Sequence, residues 1–101
     1  MMELFEDAPG GLELPPVLDL TAASGLLEAF TERRGQVLVV DGAGVQRLGA
    51  QCLQVLLAAR AAWEADGQTM RVENCSDDFL ASLDLMGVAP EALTYLKELA
   101  Q

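Results

Sequence analysis

The fold of this chain is built outward from residues 36–73, QVLVVDGAGVQRLGAQCLQVLLAARAAWEADGQTMRVE. Residues 36–40 are β-rich and continuously apolar, which predicts a central parallel strand buried on both faces. Apolar residues then recur at helical spacing from Cys52 to Trp63, and Asp66-Gly67 ends that run, which predicts a helix. Residues 69–73 alternate between apolar and polar, as in a strand with one partly exposed face. This strand–helix–strand order predicts parallel pairing through a right-handed crossover.

Two further helical segments flank this unit. Residues 21–34 carry apolar side chains at helical spacing and are followed by Gly35, which predicts a helix and its stop. Ser76-Asp77-Asp78 is a favourable helix start, because a hydroxyl caps free N–H groups and carboxylates favour the positive end of the helix dipole. Gly87 is expected to end that helix, and Pro90 to open a last one. The apolar positions of this last helix are Leu93, Leu96 and Leu99.

The N-terminal part is less regular. Residues 1–10, MMELFEDAPG, are acidic and end in Pro-Gly, which predicts a flexible acidic leader before a domain of residues 11–101. Pro15-Pro16 interrupts the next apolar segment, so we expect two small strands or one bent strand there, since proline cannot donate to a central ladder. The chain is therefore expected to form a single α/β domain, with a central, mostly parallel sheet of about four strands and about four helices.

Composition excludes several classes of function. The chain has 101 residues, 16 Asp and Glu against 6 Lys and Arg, and a net charge of −10, which disfavours binding to nucleic acid and to anionic lipid. It has no histidine, so Ser-His-Asp and Cys-His catalysis and the commonest transition-metal ligand are absent. No apolar run approaches the roughly 20 residues that span a bilayer, and the N-terminus does not read as a secretory signal. We therefore expect a cytoplasmic protein with no catalytic residues, no metal, no cofactor and no membrane insertion.

Two local patterns resemble ligand sites only weakly. Residues 41–44, Asp-Gly-Ala-Gly, lack the spaced glycines of a dinucleotide fingerprint and the Gly-Lys-Ser or Gly-Lys-Thr of a phosphate loop. The adjacent carboxylates of Asp77 and Asp78 are explained by their position at a helix start, so no metal site is predicted there. Neither pattern therefore favours an enzyme or a nucleotide-binding protein.

The segments VLVV, LGAQCLQVLLAARAAWEADG, TMRVENCS and LDLMGV, taken in this order, resemble the STAS domain. This is the fold of bacterial anti-sigma-factor antagonists and of the cytoplasmic tails of sulfate transporters. The likeness covers roughly residues 11–100, with residues 53–57 matching the family's helix and residues 85–88 its closing Gly pattern. The phrase RLGAQCLQVLLAA, followed by WEADG, is most similar to small stand-alone STAS proteins found beside chemotaxis genes.

The resemblance also identifies a departure from the family. Where the family usually has Asp-Ser-Ser-Gly, this chain has Gly49-Ala50-Gln51-Cys52, so Gln51 stands at the position of the phosphorylated Ser or Thr. An amide cannot take a phosphoryl group, and the charge of about −2 that phosphorylation adds at a helix N-terminus is lost. The resemblance implies a non-enzymatic protein–protein interaction module in bacterial signalling, as a chemotaxis-associated accessory. Its partner would be another cytosolic signalling protein, of chemosensory or anti-sigma type.

We expect the partner to bind at the start of the second predicted helix and at the loop before it. The positions of this predicted surface are Gly42, Ala43, Gly44, Gly49, Ala50, Gln51 and Gln54. From the residues alone, a plain helix start is the better interpretation, and the resemblance brings the two interpretations level; Leu53 and Leu57 could pack under neighbouring helices or face a partner. The alternatives left open are an anti-sigma-factor antagonist, a small-ligand or nucleotide sensor, a structural STAS subunit of a lipid-transporting ABC complex, and a homodimer.

Overall fold

The computed structural model describes residues 6–8 and 11–93. The strands are β1 (Glu6–Ala8), β2 (Gly11–Glu13), β3 (Val17–Leu18), β4 (Leu38–Asp41), β5 (Arg47–Leu48) and β6 (Met70–Glu73). The helices are α1 (Ala23–Glu32), α2 (Ala50–Ala65) and α3 (Asp77–Leu85), with short 3-10 turns at Leu20–Ala22 and Pro90–Ala92. Strands alternate with helices along the described chain, which confirms the predicted α/β class.

The main sheet has four strands in the order β1-β2-β4-β6. Strands β2, β4 and β6 are parallel, and β1 is antiparallel to β2. A separate parallel ladder joins β3 to β5. Strand β4 is therefore central and parallel, as predicted. Because Leu12, Val40 and Val72 lie opposite one another in the register, they share one face of the sheet, and all three are buried.

The prediction that β4 is buried on both faces is wrong. Leu38 and Val40 are buried, whereas Val39 is half-buried and Val37, just before the strand, is 60% exposed. The cross-strand neighbours of Val39 are Gly11 and Arg71, so one neighbour has no side chain and the other is polar. One face of the strand thus lies in the core, while Val39 on the other face is half-buried and has no apolar cross-strand neighbour on β2 or β6.

The predicted apolar side of α2 faces the core. Cys52, Leu56, Ala59 and Trp63 are buried, and Val55 is half-buried and packs against the core. Leu53 is also buried, and Leu57 is half-buried and packs against the core.

An aromatic contact joins α1 to α2. The Trp63 ring lies edge-on to Phe30, with 6.1 Å between centroids, and its indole N–H donates to the carbonyl of Gln36 at 2.6 Å. The buried indole therefore has the hydrogen-bond partner that its polar N–H requires. These contacts connect both helices to the segment that leads into β4.

Local signals placed the start of α3 and the glycine stops correctly. The Ser76 hydroxyl accepts a hydrogen bond from the Phe79 amide at 3.0 Å, so Ser76 caps α3 as predicted. The predicted stops Gly35 and Gly87 have φ values of +85° and +74°, the left-handed conformation that glycine adopts at low cost. Helix α1 begins later than predicted, at Ala23, because a 3-10 turn precedes it.

The N-terminal part of the structure differs from the sequence-based expectation, and most of the predicted C-terminal helix lies outside the described residues. Within the predicted leader, residues 6–8 form β1 at the edge of the sheet, because their backbone pairs with β2. Pro15-Pro16 separates β2 from β3, which confirms two small strands. Pro90 opens a 3-10 turn and Leu93 is buried. The rest of the predicted last helix, with Leu96 and Leu99, lies outside the described residues.

Candidate interaction surface at the start of α2

Three segments meet at the edge of the sheet where the parallel strands end. The Leu14 amide, after β2, donates to the carbonyl of Asp41 at 3.0 Å. The Gly42 amide donates to the carbonyl of Glu73 at 2.9 Å, and the Gly42 carbonyl accepts from the Ser76 amide at 3.2 Å. This is the edge at which open α/β sheets commonly place their functional loops. The loop before α2 is thus tied to the strands on both sides of β4.

Gly42 is buried at this junction, although the sequence placed it on the partner surface. A Cβ atom at this position would lie 3.2 Å from the ring of Phe79, closer than ordinary van der Waals contact. The ring of Phe79, a residue of α3, therefore packs directly on the backbone of the loop. Gly42 has no side chain and no open face to present to a partner, so its role is to allow this close packing.

The next two residues form the exposed tip of the loop. Ala43 and Gly44 are exposed, and the Ala43 amide donates to a carboxylate oxygen of Asp41 at 2.9 Å. Just beyond the tip, the carbonyl of Val45 accepts from the Ser76 hydroxyl at 2.5 Å. Ser76 therefore connects this loop to α3 while it also caps that helix. The loop tip is exposed but held at both ends.

The start of α2 is open to solvent. Gly49 precedes the helix in an extended conformation, its amide donates to the carbonyl of Leu18 at 2.9 Å, and it is half-buried. Ala50, Gln51 and Gln54 are exposed. Among the described residues, no side chain caps this helix and no acidic residue lies in its first turn. The first amides of α2 are therefore available to an external acceptor, as at any uncapped helix N-terminus.

Asp19 is an acidic residue that lies against this helix start, and the sequence analysis did not identify it. Its carboxylate accepts from the Thr21 amide and hydroxyl, and these hydrogen bonds, led by the hydroxyl, hold the pKa of Asp19 below its ordinary value. The Cys52 thiol donates to the Asp19 carbonyl at 3.3 Å. An Asp two residues before a Thr, ahead of a helical run, is a capping signal that could have been recognised.

The chemistry available at this surface is hydrogen bonding. Burial raises the pKa of the Cys52 thiol, and the charge of Asp19 raises it further, while burial also raises the pKa of Cys75. Both thiols are thus held in the protonated, weakly nucleophilic form. Within residues 6–8 and 11–93, no three Cys, Asp or Glu side chains are grouped to hold a metal ion. Exposed amides and backbone groups remain as the contacts that a partner could use.

The residues predicted for the partner surface therefore fall into two parts, the loop tip and the helix start. The tip, Ala43 and Gly44, is anchored toward α3, whereas the helix start, from Gly49 to Gln54, lies against residues 18–19. Only the two-residue strand β5 and its flanks separate these two parts. We call Ala43, Gly44, Ala50, Gln51 and Gln54 together the α2-start surface.

Comparison with known protein families gives one match that covers nearly the whole chain. The family model described as "Mlab, STAS domain" matches residues 1–95. No curated protein gives a significant sequence match. Among the described helices, none is both long and apolar enough to cross a membrane.

Proposed function

This chain belongs to the STAS domain family, whose members generally act as non-enzymatic modules that bind other proteins; on that basis we propose that it binds a bacterial signalling protein through the α2-start surface. The observation that carries the proposal is the exposure of Gln51 and Gln54 at a helix start that no described side chain caps. The proposed role is that of a chemotaxis-associated accessory.

Gln51 would act as a fixed contact. Its amide can donate and accept hydrogen bonds at the same time, so it suits a polar partner surface. It cannot take a phosphoryl group, so a kinase cannot add negative charge at this helix start. Binding at the α2-start surface is therefore proposed to be constitutive.

A pull-down from the source cell with matched variants tests this surface. Gln51→Arg places a bulky cation at the helix start, and Gln36→Arg makes the same change at an exposed position before β4. We expect a chemosensory protein to be enriched by the wild type and by Gln36→Arg and lost with Gln51→Arg. Recovery of an anti-sigma factor or of an ABC-transport ATPase with the same dependence would name one of the alternative systems. A partner that survives Gln51→Arg would place the interface elsewhere.

Incubation with a cognate signalling kinase tests whether binding at the α2-start surface is constitutive. We expect no phosphate-sized mass increase on any peptide that covers residues 49–54. A phosphorylated residue mapped to the start of α2 would contradict the proposal, since the surface would then carry a switch.

A ligand-sensing function is the second candidate, because uncapped helix amides also suit anions. A thermal-shift series with nucleotides and inorganic phosphate separates it from the first. A ligand at 100 times its dissociation constant adds about 2.7 kcal/mol to stability, which is readily measured. An unchanged melting temperature would rule out these ligands and favour the protein partner.

A further inference from the structure

The 3-10 turn before α1 and the helix itself each carry an exposed leucine. Leu20 is 69% exposed and Leu27 is 54% exposed. They are seven residues apart, about two helical turns, so they lie on the same side of the segment formed by the 3-10 turn and α1. Arg34 follows seven residues later and donates two hydrogen bonds to the carboxylate of Asp66, just after α2. The leucines therefore lie on the side of α1 that borders α2.

Helix α2 presents small apolar residues along the same border. Val55 and Ala62 are seven residues apart, and Asp66 follows four residues after Ala62, so all three lie on the side of α2 that borders α1. Val55 and Ala62 are half-buried, and Ala58, between them, is exposed. Small side chains here leave the leucines of α1 standing above the boundary between the helices. We call Leu20, Leu27, Val55, Ala58 and Ala62 the α1/α2 seam.

The seam is uncharged along its length. The other positions on this border are Ser24 and Thr31 on α1 and Gln51 at the start of α2. The charges at its two ends are Asp19, which precedes Leu20, and the pair of Arg34 and Asp66, which neutralise each other. An uncharged apolar strip is unusual on a chain with a net charge of −10, since such a chain otherwise places carboxylates over its surface.

The size and charge of the seam identify the occupant. A stable homodimer buries about 800 Å² on each subunit, far more than two half-exposed leucines and their small neighbours offer. A second copy would also bring the same negative charge to the contact. Helices that dock in grooves, by contrast, use a few apolar anchors at helical spacing. Glu28, exposed beside Leu27, and the overall charge favour basic flanks on such a helix.

We propose that the α1/α2 seam binds an amphipathic helix of a partner protein, with apolar anchors facing the seam and Lys or Arg on its flanks. This surface adjoins the α2-start surface at Gln51, but its leucine anchors, Leu20 and Leu27, lie outside the α2-start surface. The proposal goes beyond the function proposed above, because it gives the domain a second contact that selects partner helices by apolar spacing and basic charge.

The test uses the full chain and a synthetic probe. The probe is a fluorescein-labelled amphipathic peptide of about 18 residues, long enough to form a helix, with Leu at helical spacing and Lys on both flanks. Binding is measured by fluorescence anisotropy, and backbone amide shifts locate the contact. We expect the peptide to bind and to shift the amide signals of α1 and α2. Leu20→Glu and Leu27→Glu should each bind the peptide at least about tenfold more weakly, because each lacks a leucine that the bound peptide would cover.

The sign of this effect separates docking from general attraction. Leu27→Glu adds negative charge, so nonspecific attraction of a basic peptide would become stronger, whereas docking in the seam becomes weaker. Leu85→Glu is the matched control, because Leu85 is 88% exposed on α3 and the same charge is added away from the seam. Leu27→Ser removes the anchor without adding charge, and it should weaken binding in the same direction.

Several results would overturn the proposal. The proposal fails if the probe does not bind, or if Leu27→Glu binds it as tightly as the wild type or more tightly. It also fails if Leu85→Glu weakens binding as much as Leu27→Glu does, or if the amide shifts are confined to elements other than α1 and α2. Light scattering supplies a further one: a wild-type dimer that Leu27→Glu dissociates would make a second copy the occupant instead. The Leu27 variants change no residue of the α2-start surface, and Gln51→Arg changes neither leucine of the seam, so the two proposals can fail separately.

Discussion

Arg60 offers a test of whether a buried guanidinium with unpaired nitrogens lowers the stability of this domain. It lies on α2 and is only 5% exposed, among otherwise apolar buried residues. Its Nη1 donates to the carbonyl of Met70 at 3.4 Å, while Nε and Nη2 have no hydrogen-bond partner in the part of the chain that the structure describes. A buried guanidinium without a carboxylate keeps its desolvation cost without compensation. We therefore predict that Arg60→Met makes the domain more stable.

The magnitude follows from the atoms involved. A buried donor without an acceptor costs about 1–3 kcal/mol, and Arg60 has two such nitrogens. The contact with Met70 is long, and its loss costs at most about 0.5–1.5 kcal/mol. Methionine keeps an unbranched apolar chain that adapts to the same space. The expected gain in the free energy of unfolding is therefore about 0.5–5.5 kcal/mol, and each kcal/mol raises the melting temperature of such a domain by about 4–8 °C.

Urea unfolding followed by the fluorescence of Trp63, the single tryptophan, measures this gain. Arg47→Met is the matched control, since Arg47 is exposed on β5 and its replacement should change stability by less than about 0.5 kcal/mol. If Arg60→Met lowers the free energy of unfolding by more than about 1 kcal/mol, the guanidinium is stabilising and the reasoning from its unpaired nitrogens fails.

Three further outcomes are expected. Gly42→Ala should lower the free energy of unfolding by about 1–3 kcal/mol, measured by chemical unfolding, because its Cβ would press against the Phe79 ring. Gly44→Ala is the control and should be nearly neutral, because the nearest neighbour of its Cβ would lie 3.9 Å away. Equal effects of the two substitutions would contradict the close packing at Gly42. Ser76→Ala should cost about 0.5–2 kcal/mol through the lost helix cap, measured in the same way, and no loss would show that the cap is dispensable. The hydrogen bond from Arg34 lowers the pKa of Asp66 in the folded state, so its stabilisation is present above the unfolded pKa of about 3.9 and is lost as the pH falls through the lower folded pKa. Asp66→Asn should therefore lose less stability than the wild type between pH 4 and pH 2, as followed by thermal unfolding, and identical profiles would contradict the pairing.

Several features of the fold were predictable because their causes lie within a few residues. The alternation of Met70 and Val72 with polar neighbours marked β6, and the helical spacing of apolar residues marked α2. The Ser76 cap and the Gly87 stop follow from groups that bond or bend within one turn. A local pattern specifies an element when the interactions that form it are themselves local.

The candidate site remains a prediction from the sequence, and the structure adds which of its residues are exposed. The start of α2 and the loop before it were identified in advance, and Ala43, Gly44, Gln51 and Gln54 are exposed there. The burial of Gly42 was not predicted, because it depends on a phenyl ring that arrives from α3, far along the sequence.

The amino-acid order alone was enough for the α/β class, the central place of β4, the Ser76 cap, the glycine stops and the absence of histidine chemistry. Tertiary structure decided which face of β4 is covered, that residues 6–8 join the sheet, and that Arg60 is buried while Leu20 and Leu27 are not. The physical reason is that burial depends on which distant segments lie within a few ångströms of a side chain. Hydrophobic periodicity indicates which face of an element can be covered, and only the packed neighbours determine whether it is.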